Sequence, residues 1–269
     1  MTPRASDLLA PTTLGRTGLR VGRLGLSSSY GMPATAVEAA FEQGMNYLYF
    51  GSIRRRGFAE ALRHLAPQRD RIALVLQSYS RLASFLTFTF ERGLKMIGYD
   101  HADVLLLGMW NKPVSPRILD AARRLKERGL VRFIAASTHH RPLVAAGVEG
   151  VDVFHVRYNA VHAGAEADVF PHLPSAGRPG IVAFTATSHR QLLGPKRVAV
   201  GERLPTAADC YRFVLSNPDV DVCMTGLSSA DQTEHALAAL RRGPMSADEL
   251  AWMRRVGDGI YGKPRAHAA

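Results

Sequence analysis

The sequence has 269 residues and a mass of 29.3 kDa, with 46% apolar, 8% aromatic and 21% charged residues, which is the composition of a soluble globular protein. It excludes collagen-like, intrinsically disordered and disulfide-scaffold proteins. The formal net charge of +11 would ordinarily point to nucleic acid or an anionic membrane. Arg, Ala, Gly and Pro are all abundant, however, and only five residues are Lys. We therefore attribute the charge to the coding bias of a GC-rich genome and expect no nucleic-acid partner.

The two cysteines, Cys210 and Cys223, fit no metal-ligand spacing and cannot form a disulfide framework. The neighbouring pair His139 and His140 makes no coordination set, because no carboxylate follows at a useful helical spacing. No apolar run approaches the length of a membrane span, and the N-terminus lacks the apolar core of a secretion signal. We expect a cytoplasmic protein with neither a metal site nor a membrane partner.

From Leu19 onward, short apolar runs alternate with longer amphipathic stretches, which is typical of βαβ units around a parallel sheet. Eight runs are predicted strands: 23–27, 46–50, 72–76, 104–107, 131–135, 153–156, 181–184 and 220–224. Eight stretches are predicted helices: 34–43, 57–65, 81–97, 116–128, 141–146, 165–172, 206–216 and 229–241. Eight such pairs in a chain of this length favour a closed (β/α)8 TIM barrel over an open doubly wound sheet.

Two further elements are predicted at the ends of this barrel. Residues 12–21 hold two β-prone arms around a Gly-containing turn and predict a hairpin that plugs the bottom of the barrel. Residues 246–261 open close to a capping box and continue with apolar residues at helical spacing, which predicts an extra packing helix. No interdomain linker is visible, so we expect a single domain over residues 1–269.

The segment from Leu14 to Leu26, LGRTGLRVGRLGL, resembles the opening of the aldo-keto reductase family. Further matches follow in the family's order and cover nearly the whole chain: Gly44 to Tyr47, Gly129 to Ser137, Val156 to Asn159 and Thr225 to Ser229. The resemblance implies a (β/α)8 barrel with a nicotinamide cofactor, usually NADPH, across its C-terminal mouth.

The family's chemistry needs four polar residues at that mouth. A Tyr protonates the carbonyl oxygen, a Lys paired with an Asp lowers the pKa of that Tyr, and a His orients the substrate. At the matching positions stand Tyr49 for the Asp, Arg54 to Arg56 for the Tyr, Gln77 and Ser78 for the Lys, and Gly108 to Trp110 for the His. With the proton donor and its activating pair replaced together, we expect no standard carbonyl reduction.

The positions that hold the cofactor in the family are partly kept. Ser137 is retained, whereas His155 stands where the family has a Gln on the sixth strand. Phe184 takes the place of the aromatic residue that stacks on the nicotinamide, and Asn159 belongs to the sixth-strand motif. Ser228 and Ser229, at the start of a helix, can present N–H groups and hydroxyls to a phosphate. NADP(H) is therefore the candidate cofactor.

Each candidate residue also has a purely structural interpretation. Tyr49 and His155 are candidate relocated acids, but a strand-end Tyr often only packs its ring, and His155 can be a satisfied core histidine. Gln77 and Trp110 are candidates for the substrate pocket, while Trp110 and Phe184 can equally be packing residues of the rim. Residues 85–90 show both helical and strand-like apolar spacing, and the sequence alone does not decide between the two.

Two hypotheses for function remain open. In the first, the protein is an active NADP(H)-dependent oxidoreductase, or another enzyme, with a rearranged acid such as Tyr49 or His155. In the second, it is a pseudoenzyme whose mouth binds a small molecule, with a protein partner as a further candidate. If the mouth is the ligand site, Tyr49→Phe and His155→Ala should alter ligand binding and change global stability little, whereas unchanged affinity in both would favour a scaffold.

Overall fold

A computed structural model describes residues 7–51, 53–199 and 201–262. Eight parallel strands close into one barrel in which neighbours along the chain are neighbours in the sheet, and the last strand pairs with the first. The barrel strands are β3 Leu24–Ser27, β4 Tyr47–Phe50, β5 Ala73–Ser78, β6 Ala102–Leu107, β7 Val131–Thr138, β8 Val153–Arg157, β9 Gly180–Phe184 and β10 Val222–Thr225. The predicted (β/α)8 TIM barrel is confirmed.

Helices follow each barrel strand and cover its outer surface. They are α1 Ala34–Glu42, α2 Arg56–His64, α3 Ala83–Ile97, α4 Pro116–Glu127, α5 Arg141–Ala145, α6 Ala165–Asp168, α7 Ala207–Leu215, α8 Ala230–Arg241 and the extra C-terminal helix α9 Ala247–Tyr261. The predicted helix 165–172 is divided into α6 and a 3₁₀ turn, Phe170–His172. Pro171 has no backbone N–H to continue an α-helix at this point.

The predicted N-terminal hairpin is present and closes the bottom of the barrel. Its strands, β1 Thr12–Thr13 and β2 Arg20–Val21, pair antiparallel around a 3₁₀ turn. Leu14, Leu19 and Val21 are buried in the apolar cluster that fills the barrel interior. The turn lies so close to β9 that a Cβ on Gly15 would stand 2.2 Å from the Gly180 amide nitrogen.

The C-terminal helix α9 is fixed at its start and along its side. Ser246 and Glu249 form the full capping box, each side chain accepting the other residue's backbone N–H. Glu249 also forms two hydrogen bonds, of 2.6 and 2.9 Å, with the buried guanidinium of Arg212 on α7. These bonds hold the pKa of the Glu249 carboxyl at about 2.

Strand alternation divides the core into two layers. Inward residues such as Tyr47, Val75 and Val104 fill the barrel, while Leu48, Leu74 and their equivalents pack under the helices. Within the described ranges, no helix combines the length and apolarity that crossing a bilayer requires.

Candidate functional site

A cavity of about 590 Å³ opens at the C-terminal ends of the barrel strands. Its floor is formed by inward-facing residues near the ends of several strands: Ser27, Tyr49, Gln77, Leu106, Ser137, His155, Phe184 and Met224. Loops and the helices α7 and α8 form the walls with Tyr30, Tyr79, Met109, Thr185, Thr187, His189, Arg190, Tyr211, Ser228, Gln232 and His235. None of the described lining residues is acidic, so the site suits a neutral or anionic ligand.

The strand register brings five of the predicted site residues together. Ser137 pairs with His155 across β7 and β8, and Gln77 lies at the end of β5, beside β4 with Tyr49. The register that places His155 inward and Phe154 outward is the predicted one, since Phe154 is buried in the layer under the helices. Tyr49, Gln77, Ser137, His155 and Phe184 therefore share one cavity floor.

Tyr49, Gln77 and Tyr79 form a hydrogen-bonded group on one side of the floor. The Tyr49 hydroxyl donates to Oε1 of Gln77. Burial, with a further contribution from Tyr79, raises the pKa of the Tyr49 hydroxyl far above its ordinary value. The Tyr79 ring lies against Gly108, where a Cβ would come within 2.6 Å of the ring. This group fills the space beside Gly108 with an aromatic ring and amide and holds no ionised side chain.

His155 is bonded to a residue that the sequence analysis did not single out. The Tyr47 hydroxyl lies 2.8 Å from Nε2 of His155, and both side chains are buried. Burial lowers the pKa of the imidazole to about 3, so His155 is neutral at physiological pH. Tyr47 could have been found from Tyr49, because residues two apart on a strand face the same side.

Ser137 lines the cavity, but the predicted pocket residue Trp110 does not lie among the described lining residues. The Ser137 hydroxyl accepts the Met109 N–H at 2.8 Å, and the Ser137 backbone carbonyl accepts the Trp110 N–H at 2.8 Å. These bonds turn Met109 to the cavity and Trp110 into the layer beneath the helices. There the Arg81 guanidinium covers the indole ring at 4.0 Å. The ring of Trp110 thus packs in the core, and Trp110 is not a described lining residue of the cavity.

Two of the predicted cofactor residues have structural partners of their own. Asn159 is fully buried, donating to the Thr185 carbonyl at 2.8 Å and accepting the His162 N–H at 2.9 Å. It holds the loop after β9 and does not occur among the described cavity-lining residues. Phe184 does line the cavity, and the ring of His139 is stacked on it with centroids 5.6 Å apart.

The opposite side of the mouth is basic. The N-terminus of α8 reaches the cavity through Ser228 and Gln232, and Ser229 caps the helix by accepting the Gln232 N–H at 3.3 Å. His189, Arg190 and His235 line the same part of the cavity. His235 was not identified from the sequence, because an exposed helical position carries no distinguishing pattern.

No three His, Cys, Asp or Glu side chains in the described part of the chain lie close enough together to hold a metal ion.

Comparison with solved structures shows which fold this is. An aldo-keto reductase from Bacillus halodurans matches in its apo form at a TM-score of 0.73 and 21% identity, over 92% of this chain and 96% of that one. Its holo form matches over the same shares at 0.74 and 20%. A thermostable aldo-keto reductase in complex with the inhibitor epalrestat matches at 0.70 and 20% identity, over 91% and 99%. No family model and no curated protein matches the sequence. The chain therefore has the aldo-keto reductase fold.

Proposed function

We propose that this protein is a divergent aldo-keto reductase whose mouth binds a phosphate-bearing small molecule, NADP(H) being the first candidate, without standard carbonyl reduction. The observation that carries the proposal is the neutral Tyr49–Gln77 pair. It lies on adjacent strands at the positions where the family's Asp and Lys would stand, and it lines the cavity. We place the protein in the cytoplasm, because Cys210 and Cys223 are both unpaired and buried.

The α8 side of the cavity supports binding of an anionic group. Arg190 supplies a permanent positive charge beside the positive end of the helix dipole, where the Ser228 hydroxyl and N–H both donate to Oε1 of Gln232. The lack of acidic residues among the described lining residues removes the repulsion that a phosphate would otherwise meet. These residues fit the phosphates of a dinucleotide.

The residues at the nicotinamide end fit the cofactor less completely. Ser137 has a hydroxyl hydrogen left to donate, because its oxygen accepts the Met109 N–H. Asn159, by contrast, uses both ends of its amide within the protein, donating to Thr185 in the loop after β9 and accepting from His162 in its own loop after β8. A bound NADPH would supply a hydride, and this chain's residues would have to supply the proton.

Neither candidate acid is suited to that proton transfer. A general acid works best with a pKa near the working pH. Burial raises the pKa of Tyr49, which makes its proton hard to release. The pKa of His155 is about 3, so His155 carries no extra proton to give. These shifts favour the binding function over the alternative of a relocated acid.

Calorimetric titration with NADPH and NADH tests the binding. We expect NADPH to bind and Arg190→Ala to weaken its affinity about tenfold, equivalent to about 1.4 kcal/mol. Arg197→Ala is the matched control, since Arg197 is exposed near the same loop and is not a described lining residue. Absence of binding to both nucleotides at millimolar concentration would reject NADP(H) as the ligand.

Turnover of a reactive aromatic aldehyde with NADPH tests the absence of standard chemistry. We expect no oxidation of NADPH above the rate without enzyme, because each missing acid–base group is typically worth about a hundredfold or more. A rate within about tenfold of an ordinary family member would contradict this. Loss of such a rate in Tyr49→Phe or His155→Ala would then establish the relocated acid.

A further inference from the structure

Large apolar side chains are gathered at one side of the cavity mouth. Among the described residues, most of the exposed large apolar side chains lie in the loops after β4, β5 and β6 or in the first turns of α3. They are Ile53, Tyr79, Leu82, Phe85, Phe88 and Met109. We call these six residues the apolar rim. A cluster of this kind is unusual on a protein surface that contacts only water.

The exposed apolar residues of α3 are not the ones that pack this helix on the barrel. Leu86, Phe90 and Leu94 are buried and fix the helix on the barrel. Leu82, which precedes the helix, and Phe85 and Phe88 are 69%, 54% and 56% exposed, and their spacing of three residues puts them on a second face. One apolar face is enough to hold a helix on a barrel. The second face implies a second contact.

The loops of the apolar rim carry positive charge. The loop residues 51–55, 79–82 and 108–115 include Arg54, Arg55 and Lys112, besides Arg81, whose guanidinium is held on Trp110, and no acidic residue. Glu91, the next residue at the three-residue spacing on α3, is paired with Arg128. Arg92 is exposed on α3, and its helical position lies between those of Phe85 and Phe88. A second copy of the chain seated on this surface would bring cation against cation. The surface is complementary to a partner that is both apolar and anionic.

We propose that the apolar rim docks on an anionic lipid bilayer. Its apolar side chains enter the boundary between headgroups and acyl chains, and the cations contact the headgroup phosphates. The apolar groups stand on three separate loops and one helix face, and a fluid bilayer accommodates such tips without a shaped pocket. The sequence predicts no membrane partner because no segment can span a bilayer. Docking at the bilayer surface needs no such segment.

Flotation of the full chain with lipid vesicles tests this proposal independently of any ligand in the cavity. We expect binding to vesicles of equal parts phosphatidylcholine and phosphatidylglycerol and little binding to phosphatidylcholine alone. The double variant Phe85→Ser with Phe88→Ser should reduce binding at least tenfold, and Arg92→Glu about threefold. Leu204→Ser and Lys196→Glu are matched controls, because both residues are exposed in the segment between β9 and α7, and they should stay within twofold.

Thermal unfolding checks that each variant is folded, and Leu82→Ser replaces the double variant if that one is not. Absence of binding by the unmodified chain overturns the proposal and leaves the apolar rim to a protein partner. Equal loss in Arg92→Glu and Lys196→Glu, with no loss in the Phe variants, overturns it as well, since binding would then reflect net charge alone. Self-association that Phe85→Ser with Phe88→Ser abolishes would assign the surface to a second copy.

Discussion

The Tyr47–His155 pair connects the closed interior of the barrel with the cavity at its mouth. Tyr47 is fully buried beneath the cavity floor, whereas His155 lines the cavity. The sequence alone led us to expect that replacing His155 would change stability little. The 2.8 Å bond changes that expectation, because His155→Ala leaves a buried hydroxyl unpaired and opens a void. We now expect that variant to lose about 2–4 kcal/mol of unfolding free energy.

His155→Gln separates the charge of this residue from its hydrogen bond. In the folded protein the pKa of His155 is about 3, below the ordinary 6.5, so acid protonates the unfolded chain first. The contribution of neutral His155 to the unfolding free energy is therefore fully present above pH 6.5 and is lost as the pH falls toward 3. Between pH 6.5 and 5 the loss is about 2 kcal/mol. We expect the Gln variant, which still offers Tyr47 a partner, to lack this part of the pH dependence in urea unfolding. Parallel curves for the two proteins would refute the assignment.

At the scale of the elements, α9 lies close to the backbone of the segment that follows β8. A Cβ on Gly257 would stand 2.1 Å from the carbonyl oxygen of Ala160, in the segment after β8. Two residues further along the same helix, Gly259 is exposed and has no atom within 4 Å of the position of a Cβ. The helix can therefore lie directly on the Ala160 backbone only because position 257 carries no side chain.

Gly257→Ala and Gly259→Ala form a matched pair in one helix. We expect Gly257→Ala to lower the free energy of unfolding by about 1–3 kcal/mol, because the helix must move off Ala160. Gly259→Ala should raise it by about 0.5–1 kcal/mol through better helix propensity. Urea denaturation of the two variants measures both changes. Equal effects of the same sign would mean that α9 does not pack at Ala160.

Apolar periodicity predicted an element well where only the face toward the core is apolar. It predicted less well where a second, exposed face is apolar too. The mixed pattern of residues 85–90 is a helix whose outer face is also apolar, so neither the helical nor the strand-like spacing was complete. The orientation of Trp110 lay beyond the sequence, since it depends on two hydrogen bonds that Ser137 on β7 accepts from the Met109 and Trp110 N–H groups. A loop carries no periodicity from which its side-chain directions could be read.

At the scale of the whole molecule, the barrel is closed below and open above. Leu14 is fully buried where the hairpin enters the barrel, and Leu14 Cγ and Cδ1 are both 2.8 Å from the position of a Cβ on Gly180. The hairpin fills the lower end of the barrel interior with side chains, whereas the cavity lined by Tyr49 and His155 opens at the mouth.

Leu14→Ala measures the contribution of this plug to the whole fold. We expect a loss of about 2–4 kcal/mol in unfolding free energy, as for other fully buried leucines whose site cannot collapse. Leu9→Ala, in the segment before the hairpin and 53% exposed, should change it by no more than about 0.5 kcal/mol. Comparable losses in both variants would show that burial of Leu14 in the barrel is not the source of the effect.

The sequence by itself determined the eight βα pairs, the hairpin, the extra helix and the inward register of His155. The elements are set by local patterns of apolar spacing, turns and caps, whereas the register of His155 followed from the family motifs in the sequence. Only the tertiary structure decided that Tyr47 is the partner of His155, that Tyr49 bonds Gln77, that the Trp110 ring packs in the core, and that Asn159 bonds the loop after β9. These contacts join residues 26–108 positions apart. Pairing of neighbouring strands brings most of them together, and closure of the barrel brings together Tyr47 and His155. The same closure buries Tyr49 and His155 and thereby shifts both pKa values away from neutrality.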